Sequence, residues 1–315
     1  MSMLQNSVIV FHKILVMFLL MLVGYLLFRR NILDNHTTSR ISTLLNTLIM
    51  PCCVLSSFNR SFDPVLARTL ALTLVCAIAV FILSTLLAGL LYRPAHPDNY
   101  RDCRMCVVFS NNGFMALPLL SAMFGETGVF LGSAHIVTMA VVLWTYGLAQ
   151  VDKNFRFSAK RILLNPGIIA AVLGLLLFVS PFTLPKDMTL ALTHLANLNT
   201  PLAMLVLGGY MAQVDLKSCF IDRQVWKASA VRLLPIPAFT MLMLLLIPLE
   251  HTAKLTLLVG AAAPSAIAAA MFAQIHGSDY LFSTKTVALS TLLSLVTLPS
   301  IIAVMSFLIE SYIPF

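Results

Sequence analysis

The stretch Ser110-Asn111-Asn112-Gly113, carried on to Pro118, interrupts an apolar segment in the first half of the chain, and Ala261 through Pro264-Ser265 interrupts another in the second half. Each break is followed by a Met-Phe pair and a glycine, Met123-Phe124-Gly125 in one half and Met271-Phe272 with Gly277 in the other. Proline lacks an amide donor and collides with the preceding turn, so helices carrying these words are expected to be discontinuous. Discontinuous membrane helices in corresponding places of two halves are the best sequence pointer to a secondary transporter's binding site.

Composition sets the solvent around these breaks. With 59% hydrophobic and 10% charged residues among 315, the chain cannot build a water-soluble surface. Uncharged runs at 69–92, 105–125, 162–185 and 286–309 each reach the roughly 20 residues a helix needs to cross hydrocarbon. Strand-type alternation is absent. The expected fold is an all-α polytopic membrane protein of ten transmembrane helices, centred near Phe18, Leu48, Val80, Met115, Met139, Leu173, Leu202, Met241, Pro264 and Leu298. The fourth and ninth are the broken ones.

Three words recur at a nearly constant offset. Gly24 and Gly174 are 150 positions apart, Asn46-Thr47 and Asn199-Thr200 are 153 apart, and Met123-Phe124 and Met271-Phe272 are 148 apart. Residues 1–155 and 156–315 then form two repeats of five helices. Five is odd, so the second repeat enters the membrane with opposite polarity, an inverted repeat whose half-sites meet near the midplane.

Charge orients the spans. Loops after odd-numbered helices carry fourteen basic residues, among them Arg29, Arg30, Arg101, Arg104, Lys153 and Lys160, whereas the other side has five: Lys13, Arg60, Arg68, Lys186 and Lys254. The imbalance places the odd loops in the cytoplasm and both termini outside. Arg232 is set aside as a residue one or two turns inside its helix that snorkels to an interface. Net charge of +8 is explained by these loops, and basic residues spread over short connections do not make a nucleic-acid surface. The first helix, with no basic leader and no small-residue cleavage site, reads as retained. Cys103-Arg104-Met105-Cys106 has redox spacing, but in a predicted cytoplasmic loop it reads as free thiols.

A broken helix exposes amides at the start of its second half, where the helix dipole supplies fractional positive charge suited to a carboxylate. Asn111, Asn112, Gly113, Pro118, Pro264 and Ser265 are therefore candidate substrate contacts. The competing reading has the prolines kink helices that pack through the alanines at 261–270. A second polar pair, Asn46 to Pro51 and Asn199 to Pro201, either faces the same cavity or satisfies helix ends.

All twelve Asp and Glu residues fall in or near predicted loops or span ends, so no acid relay crosses the membrane. Candidate coupling groups, for a proton or sodium ion, are His135 and His194 within spans, and Glu126 and Asp279 just after the two broken helices. No His/Asp/Glu metal cluster and no nucleophile with its base is recognisable. No enzyme activity, cofactor or metal is expected. A channel would need a continuous polar stripe, and a receptor would not need paired breaks.

The ordered words Leu44-Leu45-Asn46 to Pro51, Ser110 to Pro118-Leu119, Asn165-Pro166, Pro201 to Gly208-Gly209, Arg232-Leu233 to Pro235, Pro264-Ser265 and Ser290-Thr291-Leu292-Leu293-Ser294 to Pro299 resemble the auxin efflux carrier family, which includes plant auxin carriers and bacterial malonate carriers. The resemblance implies ten helices with crossed fourth and ninth helices, related to bile acid symporters and sodium/proton antiporters. It implies a scaffold of helices one, two, six and seven, a moving part of helices three to five and eight to ten, and a homodimer. It also implies that Asn112 helps hold a substrate carboxylate and that Pro118 and Pro264 are the crossover prolines. The chain lacks the long central loop of plant members, which turns the expectation toward a small organic anion such as malonate, carried by alternating access across a bacterial-type inner membrane. No second intramembrane cation stands ready for a dicarboxylate, so a monocarboxylate fits equally well.

Overall fold

The computed structural model describes residues 3–93, 99–152 and 154–312, with side chains from Phe11 to Ile309; Lys153, used above to orient the chain, lies outside them. In chain order the α-helices are α1 (Met3–Arg29), α2 (Asn35–Leu44), α3 (Met50–Phe58), α4 (Pro64–Leu91), α5 (Tyr100–Val108), α6 (Leu117–Val142), α7 (Leu148–Val151), α8 (Ala159–Leu163) and α9 (Pro166–Val179). They continue as α10 (Lys186–Asn197), α11 (Asn199–Ala212), α12 (Leu216–Ile221), α13 (Arg223–Leu233), α14 (Pro235–Leu246), α15 (His251–Ala262), α16 (Ile267–His276) and α17 (Tyr280–Tyr312). Among the described residues there is no strand, and seven helical stretches are long and apolar enough to cross a membrane. The chain is therefore an all-helical membrane protein.

Two helix pairs set the frame. α1 and α11 cross with their backbones touching: a Cβ on Gly24 would collide with the carbonyl of Leu205, and one on Gly208 with the carbonyl of Met21. Lipid tails give helices no hydrophobic drive to associate, so close backbone approach is what holds such a pair. α3 packs on α9, where Gly174 lies under the ring of Phe58. Phe58 also meets Phe130 of α6 at 4.5 Å between centroids, and Phe130 meets Phe178 of α9 at 5.2 Å.

The longest stretch, Asn112–Val151, is not one rod. Gly125 takes φ +59° inside α6, a conformation that side chains rarely adopt. The chain doubles back there, bringing Gly128 against the carbonyl of Leu120 and Gly132 against the Leu120 and Leu117 side chains.

Two uncharged runs give less helix than their length suggested. Residues 105–125 are divided by the break at Phe109–Asn111, and residues 162–185 give the end of the short α8 and the 14-residue α9. Asn165 sets the start of α9 by accepting from the Gly167 and Ile168 amides ahead of Pro166, and the helix stops at extended Ser180. The polar words at Asn46 and Asn199 mark further irregularities. A π-turn at Leu45–Ile49 precedes Pro51, and α10 passes to α11 at Leu198 ahead of Pro201. Each proline withholds the amide that would continue the ladder.

The position of the acids also has a local cause. Asp34 caps α2 through the Thr37 amide at 2.7 Å, Asp63 caps α4 through Val65 at 2.8 Å, Asp222 caps α13 through Gln224 at 3.0 Å, and Asp279 accepts from the Phe282 amide at the start of α17 at 3.0 Å. A carboxylate placed there satisfies orphan amides and meets the positive end of the dipole. All six cysteines are free and buried.

Candidate functional site

The two breaks lie across one another. α5 ends in extended Phe109 and α15 in extended Ala263. Ser110 and Ser265 then pair as an isolated antiparallel bridge. The Asn111 amide donates to the Pro264 carbonyl at 2.7 Å, and the Ala266 amide donates to the Phe109 carbonyl at 2.8 Å. Each unwound segment thus satisfies the backbone groups of the other, as irregular backbone in a membrane interior must. Ser110, Asn111, Asn112 and Ser265 are all at most 4% exposed.

Pro264 sits in this crossing, whereas Pro118 does not. The first break precedes Pro118, which lies in the following half-helix just after a π-turn at Asn112–Ala116. The missing Pro118 amide leaves the ladder one bond short, and the wider turn absorbs it, with the Ala116 amide reaching back to the Asn111 carbonyl at 3.1 Å.

Two helix starts and two helix ends meet here. At the starts, Asn111 Oδ1 accepts from the Phe114 amide at 3.3 Å, and the Ser265 amide donates to Ser290 Oγ of α17 at 3.1 Å. The ends are both covered by Arg232. Its Nε donates to the Ala263 carbonyl at 2.9 Å and its Nη1 to the Val107 carbonyl at 3.0 Å, while Nη2 holds the Ala261 carbonyl. The side chain is 1% exposed. The expectation that Arg232 snorkels is overturned: with no carboxylate among its partners, the guanidinium spends its fork on carbonyls at the negative ends of α5 and α15. What remains uncompensated at the crossing is the positive character of the two helix starts.

Several polar atoms there have no protein partner: Asn111 Nδ2, Asn112 Oδ1 and Ser265 Oγ. Asn112 Nδ2 reaches only the Met139 thioether, at 3.3 Å, a weak acceptor. Gly113 follows, and a Cβ there would lie 3.1 Å from Met50 Sδ of α3. Buried polar groups without partners are uncommon and call for an explanation.

The remaining candidates separate. Asn199 is buried with Oδ1 unpartnered, on α11, which packs on the Asn112–Ala116 turn. Asn46 is exposed and donates to the Ser42 carbonyl of its own helix at 3.0 Å. His135 is 3% exposed against Phe81, with Nδ1 unpartnered. His194 is exposed in the last turn of α10. Glu126 is exposed and pairs with Arg60 at 3.7 Å. Asp279 accepts from Asn99 Nδ2 at 3.0 Å besides capping α17. Thus Asn111, Asn112, Gly113, Pro264 and Ser265 come together, and Asn46, His194, Glu126 and Asp279 stand elsewhere. Sequence reasoning missed Arg232 and Met139. A charge set well inside a membrane span was the available signal for the first; the second carries none.

A family model described as membrane transport protein matches residues 9–302. The chain is also 23% identical over 297 residues, covering 90% of itself and 95% of its relative, to a protein of Methanocaldococcus jannaschii described as an uncharacterized transporter. The ordered motifs, the paired breaks and a match over nearly the whole length agree, and the chain belongs to this membrane transport protein family, the auxin efflux carrier family.

Proposed function

We propose that this transporter is a secondary carrier of small organic anions, with a carboxylate held at the crossing and moved by alternating access. One observation carries the reading: two buried donors without protein partners, Asn111 Nδ2 and Ser265 Oγ, stand where two helix starts meet, while Arg232 covers the opposing helix ends. An anion satisfies both donors and the two dipoles. Arg232 is committed to carbonyls, so one carboxylate is the charge the crossing recognises, and monocarboxylates are the preferred class over malonate.

The ten-helix inverted repeat supplies the moving parts. α1 against α11 and α3 against α9 are the contacts expected of helices one with seven and two with six, which exchange under the repeat. Gly24 and Gly174, offset by 150 positions, serve those two contacts. These helices form the scaffold, and the helices around the crossing form the moving part. The orientation follows the basic loops, with both termini outside a cell inner membrane.

Counterflow in proteoliposomes against a panel of mono- and dicarboxylates, with and without a proton gradient, tests the reading. Saturable exchange that fails in Asn112→Ala supports it. Exchange that does not saturate indicates a channel, and binding without flux indicates a receptor.

A further inference from the structure

Beside the crossing lies a small buried chamber that neither Asn111 nor Ser265 lines. Asn112, Gly132, His135, Thr256 and Gly260 line it together with the apolar side chains of Leu117 and Leu120. The space open to a water centre is about 10 Å³, close to the least that holds one water molecule. Three polar atoms in it have no protein partner: Asn112 Oδ1 from the start of the broken helix, His135 Nδ1 from α6 and Thr256 Oγ1 from α15. Their residues are 3%, 3% and 1% exposed. Gly260 keeps the face of the imidazole open, since a Cβ there would lie 3.0 Å from Nδ1. A buried space with three unpartnered polar atoms and room for one molecule is a setting in which buried water is retained.

We infer that this chamber is a one-water proton site, in which His135 takes up a proton together with the anion at the crossing. The inference rests on the carrier reading above and names its coupling group. With neutral His135, the water donates to Nδ1 and to Asn112 Oδ1 and accepts from Thr256 Oγ–H. With a proton on Nδ1, the imidazolium donates to the water, which donates to Asn112 Oδ1 and Thr256 Oγ1. One proton enters the chamber, no covalent bond other than the new N–H is made or broken, and the hydrogen bonds to His135 and Thr256 reverse while the one to Asn112 is kept.

The groups facing the ring decide which ion drives which. Phe81 from α4, Thr256 and Gly260 from α15 and Asn112 are uncharged, and Arg232 from α13 is the charge that acts on it. A second positive charge beside Arg232 with no counter-charge is costly in a buried site. A carboxylate at the crossing supplies the counter-charge, so proton and anion favour each other's binding, and the coupling is reciprocal. Transport is then proton–anion symport.

The test uses proteoliposomes and radiolabelled gluconate, glycerate and malonate, hydrophilic acids whose neutral forms cross lipid slowly, comparing exchange at equal pH with the initial rate and extent of accumulation under a pH gradient, each measured above protein-free liposomes. At one proton per anion the wild type accumulates a monocarboxylate that it exchanges by about tenfold for one pH unit, and malonate, whose transport then carries one net negative charge, to the same extent only with the membrane potential clamped at zero. His135→Gln keeps exchange and loses accumulation, and the pH dependence of its exchange is flat between about pH 5 and 8. Thr256→Val and Gly260→Ala, which remove a partner of the water and fill the chamber, lower accumulation in the same direction. Wild-type exchange without accumulation, or His135→Gln accumulating like wild type, overturns the proton site and leaves the carrier reading standing. A wild type that exchanges none of the probes, and whose His135 ¹⁵N resonance is insensitive to both pH and added carboxylate in nanodiscs, overturns both.

Discussion

Arg232 Nε and the carbonyl oxygen of Ala263 are 2.9 Å apart, and through this bond a residue on α13 closes the end of a half-helix on α15. The same guanidinium reaches Val107, 125 positions away, at the end of the other half-helix. One cation thereby holds together the two negative ends that the crossing would otherwise press against each other.

Removing that cation leaves several buried carbonyls without donors, each costing on the order of 1–3 kcal/mol. Arg232→Leu is expected to lower the melting temperature of the detergent-solubilised protein sharply. Arg232→Lys, which keeps the charge but not the fork, is expected to lie between. A Leu variant that melts with the wild type would show that the carbonyls find other partners.

The α1–α11 contact makes a second prediction. Gly208→Ala places a methyl against the Met21 carbonyl, whereas Gly89→Ala meets nothing within 4 Å. The first is expected to destabilise by roughly 1–3 kcal/mol or more, as overpacked contacts do. The second is expected to be neutral or slightly stabilising, since glycine is the poorer helix former. Paired thermal melts distinguish them, and equal melting temperatures would mean the helices separate at little cost.

Arg60 and Glu126 tie the end of α3 to the fold at Gly125. Glu126 is largely exposed, with its carboxylate 3.7 Å from Arg60, so Glu126→Gln is expected to cost less than about 1 kcal/mol. Arg60 also donates to the Ser57 carbonyl at 2.8 Å and to Thr127 at 3.2 Å, and it lies over the Phe130 ring at 5.2 Å. Arg60→Ala is therefore expected to cost clearly more than Glu126→Gln. Equal effects in chemical or thermal denaturation would reduce Arg60 to its ion pair.

Much of the site was legible because the breaks are written in local chemistry. Asn111, Asn112, Pro264 and Ser265 are polar or helix-breaking in apolar surroundings, and their pairing between halves survives in the Ser110–Ser265 bridge. Pro118 misled because a proline announces a missing amide without saying how the chain absorbs it, here through a π-turn. Arg232 misled because its partners come from 29 to 125 positions away; local spacing shows only a charge near a helix end. The two histidines are alike as isolated polar residues in apolar sequence. Only packing puts His135 beside Thr256 and leaves His194 exposed. Likewise Asn46 and Asn199 begin the same Asn-Thr word 153 positions apart, yet one is exposed and the other buried.

The measurement that bears most directly on the anion site is the affinity of a monocarboxylate, by calorimetric titration, for the wild type, Asn111→Ala and Ser265→Ala. Hydrogen bonds to a charged group contribute about 1.5–3 kcal/mol. Each variant is therefore expected to bind tenfold or more weakly; without ligand Ser265→Ala is expected to melt close to the wild type, and Asn111→Ala below it because it also loses the cap on the Phe114 amide. Unchanged affinity in both would contradict a carboxylate held at the crossing.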